Sequence, residues 1–251
     1  MNLIKVKGIV IKETQYKDND KIITILTDKL GKVSCIAKGA KRTNSPILAC
    51  SQYLVYSEFI LYKGNNFYYI NSASVINTFY NLRIDLDKLQ VVFDLTKLIQ
   101  NIVDENEDTS SILKLFLNTI YVIENYDKNI KVVVATFKIK LFDLLGYSPR
   151  IDKCSICGEQ LYKKENNEGK NADIKLNNII YYDYVSNTFC CEDCIKDKDK
   201  RRYIELSKTS VIAIKYVLAS EIKKIFSFNL KESKDYEIFG QVYADTMSNG
   251  I

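Results

Sequence analysis

Four cysteines fall into two pairs with metal-binding spacing. Cys154-Ser155-Ile156-Cys157 is one C-x2-C and Cys191-Glu192-Asp193-Cys194 is a second. Each pair fits a tight turn that aims two thiolates at one point, and two such turns can enclose a tetrahedral Zn2+. Gly158, directly after the first pair, suits a turn that points backbone N–H groups at sulfur. The chain contains no histidine, so the site is all-cysteine. Four protein ligands leave no open coordination position, which makes the expected zinc, one per chain, structural and not catalytic. Cys190 directly precedes Cys191, and Cys190-x3-Cys194 is also a permitted spacing. The match to the first pair favours Cys191 as the third ligand and leaves Cys190 as a neighbour. Two disulfides or free thiols are the competing readings, and a cytoplasmic location argues against disulfides. Cys35 lies in an expected strand and reads as a small buried hydrophobe, with Cys50 equally inert.

The absence of histidine excludes a Ser-His-Asp triad, a Cys-His dyad and any histidine general base. The net charge of +5 over 251 residues is small, but its distribution is uneven. Residues 1–80 carry 11 basic against 5 acidic side chains, a net +6, whereas residues 81–150 come to −1 and residues 151–251 to 0. A basic module attached to a neutral body points to a polyanionic partner. Within that module, Lys38-Gly39-Ala40-Lys41-Arg42 sets three cations on a glycine-containing loop, a form that can approach a phosphate backbone closely. Lys12, Lys21 and Lys32 extend the candidate nucleic-acid surface, and Tyr16, Tyr53, Tyr56, Tyr62, Tyr68 and Tyr69 supply rings that can stack on bases. Most strand tyrosines serve packing, so the loop carries more of the argument than any one ring.

These groups must be positioned by several kinds of element. Leu3–Lys12, Lys21–Thr27, Lys32–Ala37, Tyr53–Tyr62, Phe67–Ile70 and Ser72–Phe79 read as strands. Asp28-Lys29-Leu30-Gly31 and Gly64-Asn65-Asn66 read as turns between them. About five short strands with close turns fit a small barrel. After Asn81 the apolar spacing becomes helical, from Leu82 to Val103, then from a cap at Thr109 or Ser110, then over Ile130–Leu145 with Gly146 as a stop. A cysteine-bearing segment follows, with a polar Lys163–Asn171 stretch and a strand-like run at Asn178–Val185. Its near-zero charge makes Lys163 and Lys164 bystanders to nucleic-acid binding. Helices return at Ser207–Phe226 and Asp235–Met247 and are expected to pack on the earlier set. The fold class is thus α+β, a five-stranded OB-fold β-barrel followed by an α-helical domain with a small zinc-binding insert. The expected divisions are 1–80, 81–150, 151–202 and 203–251. No apolar run reaches the ~18–20 residues of a bilayer span. The first ten residues lack a signal peptide's apolar stretch, so a cytoplasmic location is expected.

Residues 9–42 carry two informative runs, Tyr16-Lys17-Asp18-Asn19-Asp20-Lys21-Ile22-Ile23-Thr24-Ile25-Leu26-Thr27 and Gly31-Lys32-Val33-Ser34-Cys35-Ile36-Ala37-Lys38-Gly39-Ala40-Lys41-Arg42. Together they resemble the N-terminal signature of the RecO DNA repair family. Phe59–Gly64 is similar to its next strand and turn. Leu141–Pro149 with Cys154–Gly158 resembles its junction of helix, Leu-Gly-Tyr-x-Pro and C-x2-C-G, and Cys191–Cys194 its second cysteine pair. The resemblance covers essentially the whole chain in order. It departs before the second pair, where the family often has Gly-Gly and this chain has Ser186-Asn187-Thr188-Phe189-Cys190; Asn187 can adopt the left-handed geometry instead. The resemblance implies a non-enzymatic role in recombinational repair: binding single- and double-stranded DNA and annealing complementary strands. It also implies work with RecR and the single-stranded-DNA-binding protein to load the RecA recombinase. Two other readings compete. One is an RNA-binding OB and zinc module of the translation machinery. The other is a carboxylate-dependent metallonuclease, for which Asp18, Asp20 and Asp28 are the only barrel candidates; Asp18 and Asp20 fit better as shapers of the turn before Lys21.

Overall fold

In the computed structural model of the chain, the described residues are 2–105, 107–164, 174–176, 179–195 and 199–248. They fall into two compact units, Met1–Tyr126 and Asp127–Ile251.

The first unit opens with five strands, β1 (Leu3–Tyr16), β2 (Asp20–Thr27), β3 (Lys32–Ala37), β4 (Tyr56–Lys63) and β5 (Tyr68–Asn77). They close into a barrel in the order β1-β2-β3-β5-β4, with every pair antiparallel except β3 and β5. This is the Greek-key connectivity of an OB-type barrel. Alternation drives it: Val6, Val10, Ile23, Ile25, Val33, Cys35, Phe59 and Leu61 point inward and share one buried cluster with Cys50 and Tyr68, while Lys5, Lys7 and Lys12 point out. The connection at Asp28–Gly31 is closed by Thr27, whose N–H and hydroxyl both donate to Gly31 O. Gly31 has φ +67, and a Cβ there would stand 2.1 Å from Asp104 O, so two constraints exclude a side chain.

One expectation changes in detail. Phe67–Ile70 and Ser72–Phe79 are one strand, because Asn71 is a bulge: Leu61 pairs with Ile70 and Ile60 with Ser72, leaving Asn71 without a strand partner. A second bulge lies between Val10 and Lys12 in β1. It lets Ile9, Val10 and Ile11 all be buried although only Val10 joins the barrel cluster.

Helices α1 (Tyr80–Arg83), α2 (Leu86–Ile102) and α3 (Ser110–Asn125) belong to the same unit. Asp85 caps α2 by accepting from Lys88 N. Gln100 of α2 donates to Ile11 O at 2.7 Å, and Arg83 donates to Tyr53 O at 2.6 Å, so the helices are pinned to barrel backbone. Thr109 is the N-cap residue of α3 but makes no capping hydrogen bond. Its hydroxyl donates instead to Thr27 O, at 2.6 Å, and Asp108 accepts Ser110 N.

The second unit contains α4 (Ile130–Leu144), β6 (Tyr162–Lys164), β7 (Ile174–Leu176), β8 (Ile180–Asp183), β9 (Thr188–Cys191), β10 (Tyr203–Leu206), α5 (Lys208–Ala219) and α6 (Lys234–Ser248). Asn129 caps α4 and Ser207 caps α5, and Gly146 leaves α4 at φ +90 as a helix stop. The α5 helix is shorter than the Ser207–Phe226 expectation because Ser220 turns extended. Helices α5 and α6 pack on α4, fastened by Thr136–Tyr236 at 2.8 Å and by the buried Lys140, which bonds Asp143 at 2.9 Å and Leu218 O at 3.1 Å. Strands β10, β8 and β9 form a small sheet in that order. Of the Lys163–Asn171 stretch, residues 165–171 lie outside the described residues, as do the side chains of Lys163 and Lys164. Among the described residues no helix is long and apolar enough to cross a membrane.

Candidate metal centre and cationic barrel rim

The two cysteine pairs meet. The sulfurs of Cys154, Cys157, Cys191 and Cys194 all lie within 4.8 Å of one another, and Cys157 Sγ stands 3.8 Å from Cys191 Sγ. A tetrahedral zinc with Zn–S of about 2.3 Å sets its sulfurs about 3.8 Å apart, so the spacing fits that ion. The first turn is built as a knuckle: Gly158 N donates to Cys154 O at 3.0 Å, Cys154 N to Glu159 O at 2.8 Å, and Gly158 takes φ +75. Ile156 N and Cys191 N both point at Cys154 Sγ, each at 3.4 Å. Burial pushes the Cys154 thiol up, but the backbone N–H groups of Cys157, Cys191 and Ile156 outweigh it and bring it to about 6. Cys191 is pushed up by burial, and Cys194 is pushed up first by its hydrogen bond with Cys191. Four thiols this close do not all ionise without a cation among them, whereas a divalent ion stabilises all four thiolates at once.

Strand alternation decides which neighbour joins. Cys191 turns its sulfur into the cluster, and Cys190 is buried on the other side of β9 with its Sγ 3.3 Å from Ser155 Oγ. The turn before β9 uses Asn187 at φ 52, and its Oδ1 accepts from Tyr182 at 2.8 Å. The left-handed role expected of Asn187 is therefore observed.

The loop after β3 is held between two turns of the barrel. Gly39, at φ +66, donates its N–H to Asp20 at 2.8 Å, and Lys41 N donates to Asn19 O at 3.1 Å. Lys41 Nζ reaches Lys17 O at 3.2 Å. On the other side Lys38 Nζ lies 5.1 Å from the Tyr69 ring centre, and that ring lies against Gly64 of the β4–β5 turn. Tyr69 stacks on Tyr62 with centroids 5.1 Å apart and planes 10° from parallel. Lys17 lies over Tyr16 at 5.2 Å and Lys63 over Tyr68 at 5.9 Å. Five cations, Lys17, Lys38, Lys41, Arg42 and Lys63, thus belong to this loop and the two turns it touches. Those turns, β1–β2 and β4–β5, are the ones OB-folds use to bind oligonucleotides.

Family models match both halves of the chain: "Recombination protein O N terminal" over residues 1–79 and "Recombination protein O C terminal" over residues 83–242. The chain belongs to the RecO family. It is 34% identical to the DNA repair protein RecO of Acetivibrio thermocellus over 233 residues, covering 93% of this chain and 86% of that protein. It is 29% identical to RecO of Caldicellulosiruptor bescii over 238 residues, 95% and 89% of the two chains. It is 27% identical to RecO of Clostridium perfringens over 239 residues, with the same coverage. RecO proteins are named as DNA repair proteins. The boundary between the two family models, at residues 80–82, differs from the boundary between the compact units because α1 to α3 fold onto the barrel.

The remaining residues singled out in the sequence fall in distinct places. Lys12 is exposed on β1. Lys21 Nζ is paired with Glu13 at 2.7 Å, and Lys32 Nζ donates to Gln100 O at 2.5 Å, so both are occupied within the first unit. Lys17 and Lys63, which sequence reasoning passes over, reach the rim; their signal is their place beside the two turns. Tyr68 is buried inside the barrel, and Tyr53 bonds Thr96 at 2.8 Å and packs on Phe93. Cys35 and Cys50 are both buried, and burial pushes both thiols up. The three aspartates of the nuclease reading do not converge: Asp20 holds Gly39 N, whereas Asp28, at the opposite end of β2, accepts Lys7 N at 3.0 Å. Among the described residues the cysteine cluster is the only group of three or more metal-ligating side chains.

Proposed function

We propose that this chain binds single- and double-stranded DNA on the cationic rim of its barrel and anneals complementary strands there. Lys38, Lys41 and Arg42 form the centre of that surface, Lys17 and Lys63 flank it, and Lys12 extends it along β1, whereas Lys21 and Lys32 are held by Glu13 and Gln100 and stand outside it. In this reading the protein helps load the RecA recombinase onto single strands coated by the single-stranded-DNA-binding protein, together with RecR. The observation that carries the proposal is the 38–42 loop, tied by the Gly39 and Lys41 N–H groups to the β1–β2 turn and set beside the β4–β5 turn by Lys38 over Tyr69, the two turns that border an OB-fold's ligand face. A preset loop loses little freedom when phosphates arrive, and Lys38 over Tyr69 and Lys17 over Tyr16 offer a phosphate contact beside a partly exposed ring. Annealing needs no catalytic residue: cations neutralise two backbones, and base pairing supplies the driving force.

We further propose that Cys154, Cys157, Cys191 and Cys194 hold one structural zinc. When bound, it would fix the two turns and the β9 strand between them. Mixing two complementary oligonucleotides, bare or coated by the single-stranded-DNA-binding protein, tests the functional reading. Faster duplex formation with the protein than without it is the expected outcome, and equal rates would reject the reading.

A further inference from the structure

The β10-β8-β9 sheet has two edges, and they are finished differently. Outward-facing backbone groups on β9 lie at Phe189 and Cys191. Phe189 O accepts Ser155 N at 2.9 Å, and Cys191 N points at Cys154 Sγ at 3.4 Å, so the cysteine knuckle closes that edge. On β10 the register sets Tyr203 opposite Asp183 and Ile204 opposite Tyr182. Tyr184 N donates to Arg202 O, which fixes 202, 204 and 206 as the positions bonded to β8. Tyr203 and Glu205 therefore turn their N–H and C=O groups away from the sheet, and among the described residues no backbone group meets them.

These groups line a groove of about 650 Å³ between β10 and the start of α6, closed on the far side by Glu232, Lys234 and Ile238. Ile204 shares a sheet face with Tyr182, which packs against Phe239 of α6 with ring centres 4.9 Å apart. The side chain of a further strand opposite Ile204 would therefore face Ile238, which is 42% exposed. Its neighbours on either side would face Tyr203 and Glu205. The charged groups of the groove are Glu205, Glu232 and Asp235 against Lys234. Asp235 already accepts Ser207 N at 2.7 Å, so Glu205 and Glu232 are the carboxylates offered to a ligand. Among the described residues Glu205 accepts a hydrogen bond from the Tyr181 hydroxyl at 3.3 Å and meets no cation.

We propose that this edge receives an extended segment of a partner protein as a fourth strand, with apolar residues alternating with lysine or arginine. The open ladder groups select an extended backbone, Ile204 and Ile238 select an apolar side chain between them, and Glu205 selects a cation on the flanking position it faces, with Glu232 adding negative charge to the groove. The same carboxylates repel phosphate, so this surface is separate from the barrel rim and independent of the DNA reading.

The test uses a fluorescein-labelled ten-residue peptide of alternating lysine and valine, its glutamate–valine counterpart, and a lysine–valine version N-methylated at every residue. Binding to the full chain is followed by anisotropy. The lysine–valine peptide is expected to bind saturably. The methylated version should bind at least about tenfold more weakly, since it cannot donate to Tyr203 O or Glu205 O. Glu205→Lys should weaken the lysine peptide and strengthen the glutamate one. Glu205→Pro removes one outward N–H at a position where an edge strand tolerates proline, so it should weaken binding while circular dichroism stays unchanged. No saturable binding, equal binding of the methylated peptide, or unchanged binding by both Glu205 variants would overturn the proposal. DNA affinity of the variants should match the parent chain in every case.

Discussion

Removing one thiolate from the cysteine cluster should unfold the second unit while sparing the first. Cys157→Ser is the cleanest perturbation, because Cys157 is exposed and loses no packing, unlike the buried Cys154. The sheet that carries the second cysteine pair is joined to the helices by rings: Tyr182 and Phe189 pack on Phe239, and Phe239 stacks on Tyr243 at 5.5 Å. Tyr182 and Phe189 are 0% and 1% exposed. Burial of such side chains is worth about 1.5–3 kcal/mol each, so releasing both removes about 3–6 kcal/mol. A whole domain is stable by only about 5–15 kcal/mol, and structural zinc binding is worth about 10–16 kcal/mol in small peptides, so loss of the ion is enough to melt this region. The barrel keeps its own cluster around Val10, Ile25 and Phe59. Hydrogen exchange with a zinc assay reads this out: about one zinc per chain in the parent, less in the variant, and lost protection at 180–195 and 234–248 but not at 20–37. Full zinc content with unchanged exchange in Cys157→Ser, or equal loss of protection in the barrel strands, would refute the reasoning.

Tyr182→Ala should lower the stability of the second unit by about 3–5 kcal/mol in calorimetry, since it empties a fully buried ring site. Lys32→Ala should lower stability with little change in DNA affinity, because its ammonium is engaged by Gln100 O; Lys63→Ala should do the reverse, flattening the salt slope by about 0.7 for single strands. Burial raises the carboxyl of Asp183, but donors from Arg202, Ser186 and Val185 outweigh it and hold its pKa below the ordinary 3.8. A depressed folded value contributes stability above the unfolded pKa and loses it as pH falls through that range. The parent chain should therefore lose stability below about pH 4 more steeply than Arg202→Ala, as measured by acid titration of near-ultraviolet circular dichroism.

The barrel is legible in the sequence because its inner residues alternate and its turns carry Asp28–Gly31 and Gly64–Asn66. What alternation conceals is the bulge. Asn71 reads as a break between strands, although it is one unpaired residue within β5. The run Ile9-Val10-Ile11 interrupts the alternation expected of Leu3–Lys12, and only the fold explains it, through the β1 bulge and the Gln100 side chain of α2 donating to Ile11 O. The cysteine cluster is legible in its pair spacing, which fixes each turn, but not in the choice between Cys190 and Cys191, which only the strand β9 separates by turning Cys191 toward the other sulfurs. The cationic surface is legible only in part. Lys38, Lys41 and Arg42 share a loop, but partners distant in sequence decide that Lys21 and Lys32 are occupied and that Lys17 and Lys63 reach the rim.

The central claim is that DNA is held by phosphate neutralisation at this rim. A salt titration of one fluorescent single strand against the parent chain and a Lys38→Ala, Lys41→Ala, Arg42→Ala variant tests it most directly. The loop should keep its place: the variant loses the exposed contacts of Lys41 Nζ with Lys17 O and Gln15, but the Gly39 and Lys41 N–H groups still hold Asp20 and Asn19. Three lost phosphate contacts at about −0.7 each should flatten the slope of log K against log salt by about two units, with weaker binding to every sequence alike. An unchanged slope with unchanged affinity would contradict the account.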